Sequence, residues 1–227
     1  MKYKNPFRGL TRFELVLWIV SMAVIICSFA VSRGEGILSL IASLIGVTAL
    51  IFVAKGYVVG QILTVAFAMF YGVISFYLRY YGEMITYLCM SAPMAVLSVI
   101  EWIRHPHKGG REVEVSRLTP RRIVVLIFGS IAVTAVFYFI LRAIGNASLI
   151  TSTVSVTTSF AASYLTFCRS PYYALAYAAN DIVLIVLWGI AALGDISYLP
   201  MVLCFVMFFA NDIYGFINWK RMQLRQE

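Results

Sequence analysis

The chain has 227 residues, 62% of them hydrophobic and 12% charged, with a mean hydropathy of +0.89. Soluble domains carry roughly 25% charge, so this composition excludes a water-soluble globule and implies a polytopic membrane protein. The formal net charge of +8 would suggest a nucleic-acid partner in a soluble chain. In a membrane protein basic loops set orientation instead, and no nucleic acid is expected.

A bilayer core takes about 20 apolar residues of helix. Eight segments qualify, at 13–32, 36–54, 58–79, 83–103, 122–142, 148–167, 172–193 and 196–219. The first has a basic flank like a signal peptide, but it is too long and lacks a clear cleavage site, so it reads as a retained helix. Most connections are short turns, such as "SRGEG", "RYYGE", "CRSPY" and "LGDIS". The exception, "RHPHKGGREVEVSRLTPRR" at 104–122, is polar and basic and reads as a solvated loop dividing the protein into halves. With the N-terminus inside, 15 of the 18 Lys and Arg residues fall on inside segments, and only Arg33, Arg79 and Arg142 fall outside. The expected protein is therefore all-α and multi-pass, with both termini cytoplasmic.

The two halves resemble each other. "GEMITYLCM" at 82–90 matches "GDISYLPM" at 194–201 with one deletion, and each opens the last helix of its half. Those helices end alike, in "EWIR" (101–104) and "NWKR" (218–221). Each half also carries a short inside loop with one basic residue, Lys55 or Arg169. The pattern is a repeat at 36–103, a connecting helix at 122–142 and a second repeat at 148–219, with 13–32 as an extra N-terminal helix. Equivalent helices lie four apart, so the repeats are parallel and polar residues should face a central pathway between them.

An Asp at the centre of a membrane helix costs on the order of 2.5–3.5 kcal/mol on insertion scales. Two Asn-Asp pairs occupy such places. On the seventh segment Tyr173, Tyr177, Asn180, Leu184 and Trp188 share a face, with Asp181 beside it. On the eighth Asn211, Tyr214 and Asn218 align, with Asp212 about 100° round the helix. On the third Gln61, Thr64, Ala68, Tyr71 and Ser75 form a comparable stripe. Carboxamides and hydroxyls bind neutral polar groups, and aromatic rings stack on flat heterocycles or hold a cation. No Lys or Arg lies inside a span away from its ends, so the pattern suits a neutral or cationic hydroxylated molecule better than a phosphate.

Other features read as structure. The Ser- and Thr-rich sixth segment suits close helix packing, and Pro93 a mid-helix kink. Glu101 and Trp102 read as interface anchors, and Cys27, Cys89, Cys168 and Cys204 as packing residues. No spacing suggests a metal or a cofactor, and none is expected.

"FFANDIYGFINWKRM", "AYAANDIVLIVLW", "FYGVISFYLRYYGEMITYLCMSAPM" and "HKGGREVEVSRL" resemble the PnuC family of bacterial nicotinamide riboside transporters, in the form seen in Gram-positive bacteria. The similarity spans nearly the whole chain after about residue 36. The resemblance implies a full-length SWEET-like fold, two three-helix bundles joined by a linker helix. It also implies facilitated diffusion with the substrate trapped inside by phosphorylation, supply of NAD synthesis, and a homotrimer in the plasma membrane. Many members carry a Trp four residues before the Asn of the penultimate helix, where this chain has Ala176. A stacking ring would then come from Tyr173, Tyr177 or Trp188, and thiamine or riboflavin stays open as the substrate.

The expected substrate site comprises Gln61, Tyr71, Tyr177, Asn180, Asp181, Trp188, Asn211, Asp212 and Tyr214. A proton-coupled carrier using Asp181 or Asp212 is the nearest alternative. A membrane enzyme or an assembly scaffold is a more distant one. Enzymes of that kind cluster His, Asp or Glu, whereas His105 and His107 flank Pro106 in a loop.

Overall fold

Inside hydrocarbon every backbone N–H and C=O must be satisfied within the chain, so apolar stretches of this length fold as helices. The computed structural model describes residues 5–31, 37–77, 81–146 and 148–227. Its long helices are α1 (Arg12–Val31), α2 (Ile37–Ala54), α3 (Val58–Tyr77), α4 (Tyr81–Arg104), α5 (Pro120–Ala143), α6 (Leu149–Phe167), α7 (Tyr173–Gly194) and α8 (Leu199–Gln226). Among the described residues seven are long and apolar enough to cross a membrane. The remaining one, α6, has its hydropathy lowered by Ser and Thr. Its hydroxyls bond back to the helix itself, as from Thr153 to the Leu149 carbonyl (2.7 Å) and Thr157 to the Thr153 carbonyl (2.8 Å). Arg33 and Arg79, assigned above to the far side, lie outside the described residues.

Packing is densest where α7 meets α8, where α3 meets α2 and α4, and where α6 meets α7; α8 also touches α2 and α1. Gly60 permits the α2–α3 approach, because a Cβ there would sit 2.4 Å from the Val53 nitrogen. The irregularity expected at Pro93 takes another form. Residues Thr86–Ser91 of α4 make a π-helical turn just before it. Pro93 has no N–H to donate and its ring crowds the carbonyl four residues back, which a wider turn at that place relieves.

The end carrying both termini repeats itself bond for bond. After α2, the N–H groups of Lys55, Gly56 and Tyr57 bond to the carbonyls of Ile51 (3.2 Å), Val53 (2.8 Å) and Phe52 (2.9 Å). After α6, those of Cys168, Arg169 and Ser170 bond to Tyr164 (2.9 Å), Thr166 (3.0 Å) and Leu165 (3.0 Å). Gly56 (φ 68°) and Arg169 (φ 58°) take the left-handed position that closes each helix. Gly56, not Lys55, is therefore the counterpart of Arg169. Trp219 donates its indole N–H to the Val53 carbonyl (2.8 Å), and Trp102 donates to the Thr166 carbonyl (3.0 Å). Val53 and Thr166 are equivalent positions, so each tryptophan caps the other half's turn. The two rings meet at 5.4 Å. Trp102 is fully buried, which corrects its reading as a membrane-interface anchor.

The 104–122 connection is also not a free solvated loop. The Val113 N–H bonds the Gly56 carbonyl and the Ser116 N–H bonds the Arg169 carbonyl, both at 2.9 Å. Val113 is buried, and Gln226 clamps the strap through the Val115 N–H (2.7 Å) and the Val113 carbonyl (3.2 Å). This is why α8 runs past residue 219. Arg169 pairs with Glu101 at 3.4 Å. Burial pushes its guanidinium below the usual range, and the carboxylates of Glu101 and Glu114 pull it back. Of the cysteines, Cys168 and Cys204 are buried, whereas Cys27 and Cys89 are exposed on the helix surfaces.

The extra helix α1 is tied in by polar bonds. Thr11 and Glu14 form a capping box, each side chain accepting the other's backbone N–H. The fully buried Glu14 also accepts the Tyr214 hydroxyl and pairs with Lys55 at 3.3 Å. Removing one partner of a buried pair costs about 3 kcal/mol or more, because the other charge stays buried. Glu14→Leu should therefore lower the melting temperature of the purified protein, and Lys55→Met added to it should restore part of the loss. A double variant no more stable than Glu14→Leu would show that the pair is not coupled.

Candidate functional site

A cavity of about 90 Å³ lies among α2, α3, α4, α6, α7 and α8. Gln61 and Thr64 of α3 wall one side, Tyr177, Asn180 and Asp181 of α7 another, and Asp212 of α8 a third. The helical stripes account for this: residues three and four apart share a face, so each helix delivers its polar stripe as a unit.

Asp181 and Asp212 are each 3% exposed, and their carboxyl groups meet across the α7–α8 contact. Asp181 Oδ2 has no hydrogen-bond donor, and none of the ion pairs among the described residues includes either acid. Buried charges are ordinarily paired. The two carboxyl groups thus face the cavity with no cation paired to either among the described residues.

Asn180 is oriented from α6. Its Oδ1 accepts from the Ser155 hydroxyl (3.0 Å) and the Thr158 hydroxyl (2.9 Å). That leaves the amide N–H groups for the cavity. Tyr177 places its ring on the wall while its hydroxyl bonds Ser163 at 3.3 Å. Phe67, Phe208 and Tyr87 add further aromatic edges. No Lys or Arg is among the described residues of the lining.

The expected site residues separate into three places. Gln61, Tyr177, Asn180, Asp181 and Asp212 come together at the cavity. Tyr71 sits just beyond it, its ring 4.6 Å from that of Tyr87, and Trp188 lies in the core nearer the far end, 5.6 Å from Tyr198. Asn211 and Tyr214 point at α1: Asn211 Nδ2 donates to Ser21 Oγ (3.0 Å) and to the Met207 carbonyl (2.8 Å), and Tyr214 donates to Glu14. The stripe on α8 runs toward α1, and of the polar residues considered there only Asp212, about 100° round, reaches the cavity. Asn218 lies at the termini end, bonded to the Ala54 carbonyl at 2.7 Å.

Sequence reasoning missed Tyr87 and the α6 hydroxyls. The hydroxyl spacing Ser148, Ser152, Ser155, Ser159 is visible in the sequence, but it is equally the pattern of a packing helix.

A bundle of membrane-crossing helices around a buried, unneutralised polar cavity defines a solute transporter. The chain belongs to the nicotinamide mononucleotide transporter family, whose model matches residues 36–221. It is 28% identical over 228 residues to the nicotinamide riboside transporter PnuC of Neisseria mucosa, covering 98% of this chain and 86% of that one. It is 24% identical over 219 residues to PnuC of Haemophilus influenzae, covering 96% and 93%. A crystal structure of the vitamin B3 transporter PnuC superposes with a TM-score of 0.82 at 26% identity, over 96% of this chain and 95% of that one.

The bond between Asn211 and Ser21 joins α8 to α1, and a neutral hydrogen bond contributes about 0.5–1.5 kcal/mol. Asn211→Leu should lower the melting temperature, and in a Ser21→Ala background the same change should cost measurably less. Equal losses in both backgrounds would place the role of Asn211 elsewhere.

Proposed function

We propose that this chain takes up nicotinamide riboside across a bacterial plasma membrane by facilitated diffusion, supplying NAD synthesis, with Asp181 and Asp212 as the counter-charge for the pyridinium. The observation that carries this reading is the buried carboxyl pair, with no cation paired to it among the described residues. Asn180, oriented by Ser155 and Thr158, donates to the carboxamide or ribose oxygens, and Gln61 supplies a second amide. Tyr177, Tyr87 and Phe67 offer rings to the heterocycle, in place of the tryptophan absent at Ala176.

The family takes its description from the mononucleotide, and the relatives theirs from the riboside. A phosphate seeks Lys, Arg or clustered donors, and the described lining carries none. That favours the riboside. Thiamine is also a cationic heterocycle and is the nearest competitor; riboflavin lacks the charge.

The architecture we propose is two parallel three-helix repeats, 36–103 and 148–219, joined by the linker helix 122–142, with 13–32 added in front. The matching turns at Gly56 and Arg169 and the exchanged tryptophan bonds support it. The exposed apolar side chains of α5, among them Phe128, Ile131 and Phe139, suit contact with lipid or with further copies in a homotrimer. The basic residues of the termini end support placing it in the cytoplasm. Gly110→Cys should then react only with membrane-permeant reagents in intact cells, and Asp195→Cys also with impermeant ones; the reverse pattern would invert the topology.

Uptake of labelled nicotinamide riboside, nicotinamide mononucleotide, thiamine and riboflavin into proteoliposomes tests the substrate. The riboside should enter and the mononucleotide should not. Asn180→Leu should weaken riboside binding roughly 3- to 100-fold, at about tenfold per 1.4 kcal/mol, while the protein still melts as a folded species. Unchanged affinity would remove Asn180 from the site. The contact between the two acids supports one alternative, a proton-coupled carrier; a pH gradient would then drive accumulation in liposomes lacking any kinase.

A further inference from the structure

A second cavity, of about 270 Å³, opens beyond the first toward the end opposite the termini. Tyr87, Ser159 and Leu184 belong to the walls of both, so these side chains form the partition between them. The volumes matter here. The central cavity measures about 90 Å³ in this conformation. Sites for small molecules run from about 300 Å³ upward. A ribosylated heterocycle therefore cannot sit between Asp181 and Asn180 until the partition moves, whereas the second cavity is close to the required size.

Its chemistry is that of a binding site rather than a channel mouth. Glu83 brings a carboxylate, which the Tyr71 hydroxyl hydrogen-bonds. Ser152 and Ser155 present hydroxyls from one face of α6, and the Asn146 amide donates to Ser152 Oγ at 2.7 Å. Trp188 contributes an indole to the opposite wall. No Lys or Arg is among its described residues either. A carboxylate, a row of hydroxyls and a flat ring match a cationic heterocycle carrying a polyol, as the central cavity does.

We propose that this outer cavity is a second binding site for the same solute, occupied before the central one, with Tyr87 as the mobile part of the partition. The proposal rests on the transport reading above. Tyr87 stands on the π-helical turn Thr86–Ser91, a local departure from the regular helix ladder. Its ring is held by ring contacts, with Tyr71 at 4.6 Å and Phe67 at 5.9 Å, which a change of rotamer would exchange without touching a backbone bond. Ser155 lies in the outer cavity yet donates to Asn180, which ties occupancy of the first site to the amide of the second.

The test is equilibrium binding of nicotinamide riboside to the full-length protein in nanodiscs. Asp181→Asn together with Asp212→Asn removes the central counter-charge, and binding should persist at the outer cavity. In that background Glu83→Gln, which keeps the side-chain shape, should weaken the remaining binding about tenfold, the scale of one charge-assisted contact. Ser152→Phe, which fills the cavity, should abolish it, with melting temperature as the check that both variants are folded. If the wild-type protein binds the riboside and the double Asn variant does not, the outer site is overturned and the transport reading stands. Residual binding indifferent to both Glu83→Gln and Ser152→Phe would also overturn it. No binding by the intact protein would overturn both.

Discussion

Polar groups taken into hydrocarbon have to find partners inside the protein, and this one constraint sorts the buried polar residues of the chain by role. Glu14, Asn211, Asn218, Trp102 and Trp219 all have protein partners, on α1 or at the helix turns of the opposite half. They hold the bundle together. Asp181 and Asp212 have only each other. An unpaired buried carboxyl group is costly on any scale, and among the described residues this cost falls in the wall of the central cavity.

The exchange of tryptophan bonds explains how the termini end stays closed. Each indole adds a second donor to a helix-end carbonyl that already accepts an N–H of its own turn, and it does so in the other half of the chain. Tyr173, Val113 and Met222 pack around the two rings, and the 104–122 strap donates to both turns across the seam. The seal is thus built from backbone acceptors and aromatic packing rather than from ion pairs alone. In the architecture proposed above, solute crossing the protein would have to part it, separating bonds that link the halves without unravelling either one. At the opposite end the partition is lighter: an aromatic cluster on a π-helical turn, with hydroxyls behind it.

Family membership and site chemistry answer different questions. The family model and the relatives mark the chain as a transporter of the vitamin B3 type, yet the descriptions they carry differ by a phosphate. The lining of this chain bears on that difference directly, since a cavity with two carboxyl groups and no described cation repels a phosphate and attracts a pyridinium. The Ala176 departure is likewise absorbed locally. Ala176 packs toward the termini-end core, while Tyr177, its neighbour, faces the cavity.

Much of this protein was legible from its residues alone. Hydrophobic length and charge placement marked the helices, because hydrocarbon admits almost no other backbone structure. The two Asn-Asp pairs stood out, because charge in a span always needs a reason. The repeated "EWIR" and "NWKR" endings pointed to paired helix ends, and the partners they chose, Thr166 and Val53, lay far off in the chain. Helical periodicity shows which residues share a face but not which neighbour that face meets. Asn180 and Asn211 look alike in sequence, and only the packing of α1 against α8 turned one into a structural bond while the other faces a cavity. The same holds for Glu14, a capping-box residue by its spacing from Thr11, whose burial against Tyr214 and Lys55 depends on where α1 comes to rest. Sequence determines the chemistry each helix carries; tertiary packing decides which of those groups are spent on one another and which remain for a guest.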